Sequence, residues 1–261
     1  MALYELDRIE FAYGPNAVIA DLSLTIEGGH FYGIIGPNGS GKSTLIDLLA
    51  GHLRADAGGI RFDGRPLAAY SRKDLARRIA LVPQDFRINF PYTCREIVMM
   101  GRYPHIPRFT RPAADDLAIV DGIFIEADLL GFENRPINRL SGGERQRVVF
   151  ARSLAQATDV LLLDEATSNL DMRHTVQLLN LASRRVTART AVIAVLQDVN
   201  LAAMYCDRLV CMREGQIFAS GSLESVLTRQ TLKTVFQVDA RVSPSAFTGS
   251  LQVSFSKEVQ P

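Results

Sequence analysis

Polar and apolar positions alternate with a period of two over Leu3–Phe11 and Ala17–Ile26, most cleanly in Asp21-Leu22-Ser23-Leu24-Thr25-Ile26. The chain is therefore predicted to open with antiparallel strands. The alternation then gives way to short continuous apolar runs: Phe31–Ile35, Ile79–Val82, Val160–Leu163 and Ala191–Leu196. Such runs mark strands buried on both faces of a parallel sheet. Helical spacing appears at Thr44–Ala50, Ser71–Arg78, Thr93–Met100, Pro112–Asp121 and Arg145–Gln156, and the stretch from about 90 to 155 reads as an inserted helical subdomain. A strand is expected at Gly58–Gly64. A hairpin is expected from Leu209–Met212 and Gln216–Ser220 across Arg213-Glu214-Gly215, and a closing helix or pair of helices from Ser222 to Phe236. The tail, Gln237–Pro261, alternates weakly around Leu251-Gln252-Val253-Ser254-Phe255 and suggests one or two edge strands. The basic face of Ser71–Arg78 reads as a solvated surface.

With 261 residues the chain suits one large α/β domain carrying an insertion. Its 29 basic and 28 acidic side chains leave a net charge of +1, so no global field draws nucleic acid or anionic lipid, and no nucleic-acid partner is expected. Cys94, Cys206 and Cys211 are odd in number and lack C-x-x-C spacing, which fits buried thiols in a reducing compartment. His30, His52, His105 and His174 are scattered, so a metal cluster is not expected. No leader pattern and no run of 18 uncharged apolar residues is present, and a soluble cytoplasmic protein is expected.

The candidate chemistry centres on Gly36-Pro37-Asn38-Gly39-Ser40-Gly41-Lys42-Ser43-Thr44, set between a predicted strand and a predicted helix. Glycines let successive N–H groups turn inward, and the helix N-terminus adds partial positive charge, so a polyphosphate fits. Lys42 would reach the β- and γ-phosphates, and the Ser43 hydroxyl would ligate a bridging Mg²⁺. The apolar strand ending in Asp164-Glu165 places two acids at a sheet edge: Asp164 for the Mg²⁺ shell, Glu165 to orient or deprotonate an attacking water. Gln84 follows Pro83 at the carboxyl end of another strand, where ligands of open α/β sheets bind. Ser141-Gly142-Gly143 before a helix offers either a second anion site or a plain N-cap. Tyr13, beside Gly14-Pro15, is either a strand-end aromatic or a surface on which a purine stacks.

From Leu3 to Val238 the chain resembles the ATP-binding subunits of ABC transporters. The resemblance rests on the loop 36–44, Gln84, Leu140-Ser141-Gly142-Gly143-Glu144, Asp164-Glu165 and Ser168-Asn169-Leu170-Asp171, in that order and spacing. It implies an α/β fold: a P-loop NTPase (RecA-like) core with an antiparallel β edge and an inserted α-helical subdomain, residues 1–238, followed by a tail at 239–261. It further implies an ATPase using ATP and Mg²⁺ as a head-to-tail homodimer. Each ATP would lie between the phosphate loop of one copy and Ser141, Gly142 and Gly143 of the other. Tyr13 would stack on adenine, Gln84 would contact the metal and sense the γ-phosphate, and Asp171 would act across the dimer. Two transmembrane permease subunits would be separate chains, with a periplasmic or extracellular substrate-binding protein acting indirectly and this subunit peripheral on the cytoplasmic face of the membrane. The segment 87–108, directly after Gln84, is expected to be the dock for the permease, unless Phe86, Phe90 and Tyr92 are core. Ile97–His105 and Asp198-Val199-Asn200-Leu201-Ala202 are similar to the subgroup importing iron-siderophore, haem or cobalamin. The alternatives are a soluble ATPase of the same superfamily acting in DNA repair or on ribosomes, and a P-loop kinase or regulatory module. Two departures stand out. Gln197 occupies the position where the family has histidine, which leaves a hydrogen-bond donor but no proton carrier, so slower hydrolysis with intact binding is expected. Ala166 replaces the usual proline and should loosen the turn after the acids.

Overall fold

The alternating stretches at the start of the chain form a hairpin, β1 (Ala2–Tyr13) and β2 (Asn16–Glu27), turning at Gly14 with φ 60°. Tyr4, Ile9, Leu22 and Ile26 supply its buried face. The computed structural model describes residues 2–84, 86, 90–168 and 170–259, the side chains of 257–259 excepted. These fall into two units, 1–69 with 186–261, and 70–185.

The first unit continues with β3 (Phe31–Ile35), α1 (Lys42–Leu49), β4 (Ala57–Phe62) and β5 (Arg65–Pro66). β4 pairs antiparallel with β1, so one sheet runs β2-β1-β4-β5. The Tyr4 hydroxyl donates to the Leu49 carbonyl at 3.0 Å and ties this sheet to the end of α1.

The second unit holds α2 (Arg72–Arg78), β6 (Ile79–Val82), α3 (Cys94–Met100), α4 (Ala114–Glu126), α5 (Gly142–Ala155), β7 (Val160–Asp164) and α6 (Met172–Ser183). β6 and β7 pair in parallel, Val82 opposite Leu163. α4 begins later and ends later than the spacing suggested, because Asp116 accepts the Ala113 N–H and sets its first turn. Arg72, Lys73 and Arg77 of α2 are exposed, as the sequence reading expected, and the basic side chains also reach acceptors from elsewhere in the unit. Lys73 Nζ donates to the Ile106 carbonyl at 3.3 Å, Arg77 Nε to the Pro104 carbonyl at 2.8 Å, and Arg78 pairs with Asp159 at 2.6 Å. These acceptors come from distant parts of the sequence, and periodicity along one helix does not reveal them.

Back in the first unit come β8 (Ala191–Val195), α7 (Val199–Tyr205), β9 (Arg208–Arg213), β10 (Gln216–Ser222), α8 (Leu223–Val226), α9 (Arg229–Phe236), β11 (Val238–Pro244) and β12 (Leu251–Val259). β3 lies between β8 and β9, parallel to both, and every residue of β3 and β8 is buried. β11 and β12 pair with each other and form a separate two-stranded sheet, where the sequence suggested edge strands. Asn200 of α7 fastens this tail, donating from Nδ2 to the Val253 carbonyl at 3.2 Å and accepting the Val253 N–H at 2.7 Å. The three cysteines are buried, and burial pushes the Cys94 thiol up to about 11, the Cys211 thiol to about 12, and Cys206 upward as well. No described helix is long and apolar enough to cross a membrane.

Candidate functional site

The glycine loop leaves the carboxyl end of β3 and closes into α1, as its sequence demands. A Cβ on Gly36 would lie 2.3 Å from the Met212 carbonyl oxygen, and one on Gly41, at φ 95°, would lie 2.8 Å from Ile19 Cδ1. Neither position accepts a side chain. Asn38 and Gly39 are exposed at the tip, Pro37 is half-buried, and Thr44 is buried under the first turn. Lys42 is buried, and its ammonium donates to the Gly36 and Pro37 carbonyls, each at 2.9 Å, so the side chain bends back over the loop. The buried Ser40 hydroxyl finds no hydrogen-bond partner among the described residues. The turn between β9 and β10 braces the loop from behind, with the Gly215 N–H donating to the Ser40 carbonyl at 3.2 Å. Sequence reasoning saw that turn only as a hairpin.

Register decides what shares an edge with the loop. Ile34 of β3 stands opposite Val195 of β8, and the Leu196 N–H donates to the Ile34 carbonyl at 3.1 Å, so Gln197 emerges exposed at the edge where the loop begins. Asp198 follows it as the N-cap of α7, accepting from the Asn200 and Leu201 amides. Tyr13 closes β1 with half its surface exposed and its ring perpendicular to that of Phe11, centroids 4.8 Å apart.

In the second unit, parallel β6 and β7 deliver Gln84 and the acids together. Gln84 Nε2 donates to Glu165 Oε2 at 2.8 Å. Asp164, the last residue of β7, is half-buried, as is Glu165. Glu165 has φ 46°, a conformation costly for a residue with a side chain. The turn after it is hydrogen-bonded on both sides. Ala166 is buried, Gln146 Nε2 donates to its carbonyl at 3.2 Å, and both the amide and the hydroxyl of Ser168 donate to the Glu165 carbonyl. Gln146 and Ser168 are thus supports that the motif pattern alone did not single out as such; Ser168 opens one flanking motif, and Gln146 lies two residues past the end of the other.

Ser141 caps α5 through a capping box: its hydroxyl accepts the Glu144 N–H, and the Glu144 carboxylate accepts the Ser141 N–H at 2.8 Å. The Ser141 N–H bond holds the Glu144 carboxyl below its usual range, and so does the Ser141 hydroxyl. Space beside Gly142 is open, and only Leu170 Cδ2, at 3.5 Å, approaches a Cβ on Gly143. Asp171 caps α6, accepting the His174 N–H at 2.9 Å, and remains exposed, its pKa lowered first by that bond. Asn169, Asp85 and residues 87–89 of the expected dock lie outside the described residues. In the rest of that dock Phe90 is 68% exposed and Tyr92 40%, so neither is core; Phe86 is half-buried, with the Arg152 guanidinium 4.5 Å from its ring centroid.

A family model described as ABC transporter matches residues 19–168. The cobalamin import ATP-binding protein BtuD of Halobacterium salinarum is 40% identical over 251 residues, covering 96% of this chain and 63% of that relative's length. The hemin import ATP-binding protein HmuV of Bradyrhizobium diazoefficiens is 39% identical over 249 residues, covering 92% of this chain and 91% of the relative. Among solved structures, one described as a metal-chelate type ABC transporter in an inward-facing conformation matches with TM-score 0.83 at 26% identity, over 98% of this chain and 97% of that chain.

Proposed function

The chain belongs to the ABC transporter family, and we propose that it hydrolyses ATP to drive import of a metal chelate, an iron-siderophore, haem or cobalamin, through two separate permease subunits. The observation that carries the ATPase reading is the anion cradle at residues 36–43. Gly36, Gly39 and Gly41 all take positive φ, as a loop that turns its N–H groups inward does, and the buried Ser40 hydroxyl has no hydrogen-bond partner among the described residues. Ser43, Gln84 and Asp164 each carry the hard side-chain oxygen that Mg²⁺ takes. When bound, Mg²⁺ would neutralise phosphate charge. Lys42 would exchange a carbonyl partner for the β- and γ-phosphates, and Glu165, with Gln84 on its carboxylate, would hold or deprotonate the attacking water. Tyr13 would stack on the adenine.

Two copies would pair head to tail, Ser141, Gly142 and Gly143 of one completing the nucleotide site of the other, with Asp171 near the dimer contact. The subunit would sit on the cytoplasmic face of the membrane, beneath permease chains served by a separate substrate-binding protein. The chelate reading is supported by the cobalamin and hemin import relatives. Purification of the full chain from native membranes in mild detergent tests this. Co-purification of a polytopic membrane protein, with ATP-driven uptake of a haem, cobalamin or ferric siderophore probe in liposomes, is expected. An ATPase found instead on ribosomes or DNA would sink the importer reading.

A further inference from the structure

The stretch Gly101-Arg102-Tyr103-Pro104-His105 marks a resemblance in the sequence and is not among the residues proposed to bind nucleotide. In the structure three of its residues converge on one feature, the last turn of α5. A Cβ on Gly101 would lie 2.2 Å from the Arg152 carbonyl oxygen, so only glycine lets the end of α3 approach the α5 backbone this closely. Arg102 is buried, pairs through Nε with Asp116 at 3.0 Å, and donates from Nη1 to the Ala155 carbonyl at 2.8 Å. His105 Nε2 lies 2.8 Å from the Gln156 carbonyl, which can only accept, so that nitrogen carries the proton. The final carbonyls of a helix have no partners within it, and a cation there also complements the helix dipole.

The same turn is held on its other side by the strand that leads to Gln84. Gln156 Nε2 donates to the Ala76 and Ile79 carbonyls at 2.6 and 2.9 Å, and Ser153 Oγ to the Leu81 carbonyl at 3.3 Å. The Arg152 guanidinium lies against Phe86, two residues past Gln84. The opposite end of α5 is the Ser141 turn. α5 is therefore a rod gripped at its C-terminal end by residues 101–105 and by β6, with the Ser141 cap at its tip.

We propose that Gly101, Arg102 and His105 are positioning residues that carry movement of the 90–108 segment through the last turn of α5 to the Ser141 turn and to Gln84. This rests on the importer reading, in which that segment meets the permease. Tyr103 faces outward at the surface, whereas Arg102 and His105 turn inward to α5. The clamp thus separates touching the partner from transmitting what the partner does.

The test uses the full chain in complex with the membrane subunits it co-purifies with, and the isolated chain as control. Tyr103→Cys supplies a cross-link to the membrane subunits, and the native thiols are buried with raised pKa values and do not compete. His105→Ala should leave cross-linking and the ATP affinity of the isolated chain unchanged, while stimulation of hydrolysis by the membrane subunits falls about fivefold or more. His105→Gln, whose amide can still donate to the Gln156 carbonyl, should recover most of that stimulation. Full stimulation in His105→Ala overturns the proposal. So does a loss of stimulation that tracks a fall in ATP affinity and thermal midpoint, which would make His105 merely structural. Absence of any cross-link from Tyr103→Cys in a complex that still co-purifies overturns the proposal by removing its docking premise, whereas absence of any co-purifying membrane subunit overturns the importer reading separately.

Discussion

Lys42 shows how far one side chain can be read. Its ammonium is buried and bonded to two loop carbonyls, so the charge is already held where phosphates would arrive. Lys42→Ala should abolish tight ATP binding, and calorimetry showing unchanged affinity would remove the phosphate-loop assignment. Gln197, where the family resemblance implies histidine, stands exposed beside the start of the loop. Losing one contact to developing charge costs about 2.7 to 4 kcal/mol, part of which the glutamine amide recovers. Gln197→His should therefore raise the turnover of the assembled transporter at least about tenfold and leave apparent ATP affinity within a few-fold. Equal turnover in parallel steady-state assays would mean the position is no catalytic switch.

At the scale of elements, α7 joins that residue to the tail. Asp198 caps its first turn and Asn200, two residues on, uses its amide as a strand edge would, pairing with both backbone groups of Val253. Asn200→Ala leaves that N–H and carbonyl without partners, at a cost of about 1 to 3 kcal/mol. The expected outcome is a lower melting temperature together with faster amide exchange confined to β11 and β12. Exchange unchanged in those strands would show that the hairpin needs no such fastening.

At the scale of the molecule, each chain carries two glycine turns before a helix, residues 36–43 and 141–143, in different units. Glu165→Gln keeps an oxygen for the Gln84 amide but cannot take a proton from water, so it should bind ATP and accumulate as a closed dimer. Light scattering of the permease-bound mutant in saturating Mg-ATP checks this, with an open or monomeric state counting against it. The whole molecule should also lose stability in acid. Asp116, hydrogen-bonded first of all to Arg102, together with Glu144 and Asp171, held chiefly by backbone N–H groups, has its carboxyl pKa lowered on folding. The stabilisation is present above the unfolded carboxylate pKa of about 4 and fades as pH falls through the lower folded values. Thermal melts from pH 7 to pH 3 should show the midpoint dropping in that window.

Buried parallel strands, the hairpin at the start of the chain and the phosphate loop were legible in the sequence because each is written in local terms. An apolar run, a period of two, and glycines at fixed spacing before a lysine all act between near neighbours. Where β3 and β7 end could likewise be read, and with them the places of Lys42 and Glu165. Three things depended on tertiary contacts. The basic face of α2 is exposed as expected, but the acceptors it meets there, from Ile106, Pro104 and Asp159, come from distant sequence. The tail strands chose each other because Asn200 and β11 satisfy β12, a pairing that weak alternation does not encode. Glu165 sits at φ 46° only because Gln84, Gln146 and Ser168 surround its turn, and residues up to 81 positions apart converge there. Short-range patterns specify the elements. Hydrogen bonds between residues distant in the chain, made only once the backbone is packed, decide which surfaces remain free and which strained conformations are held.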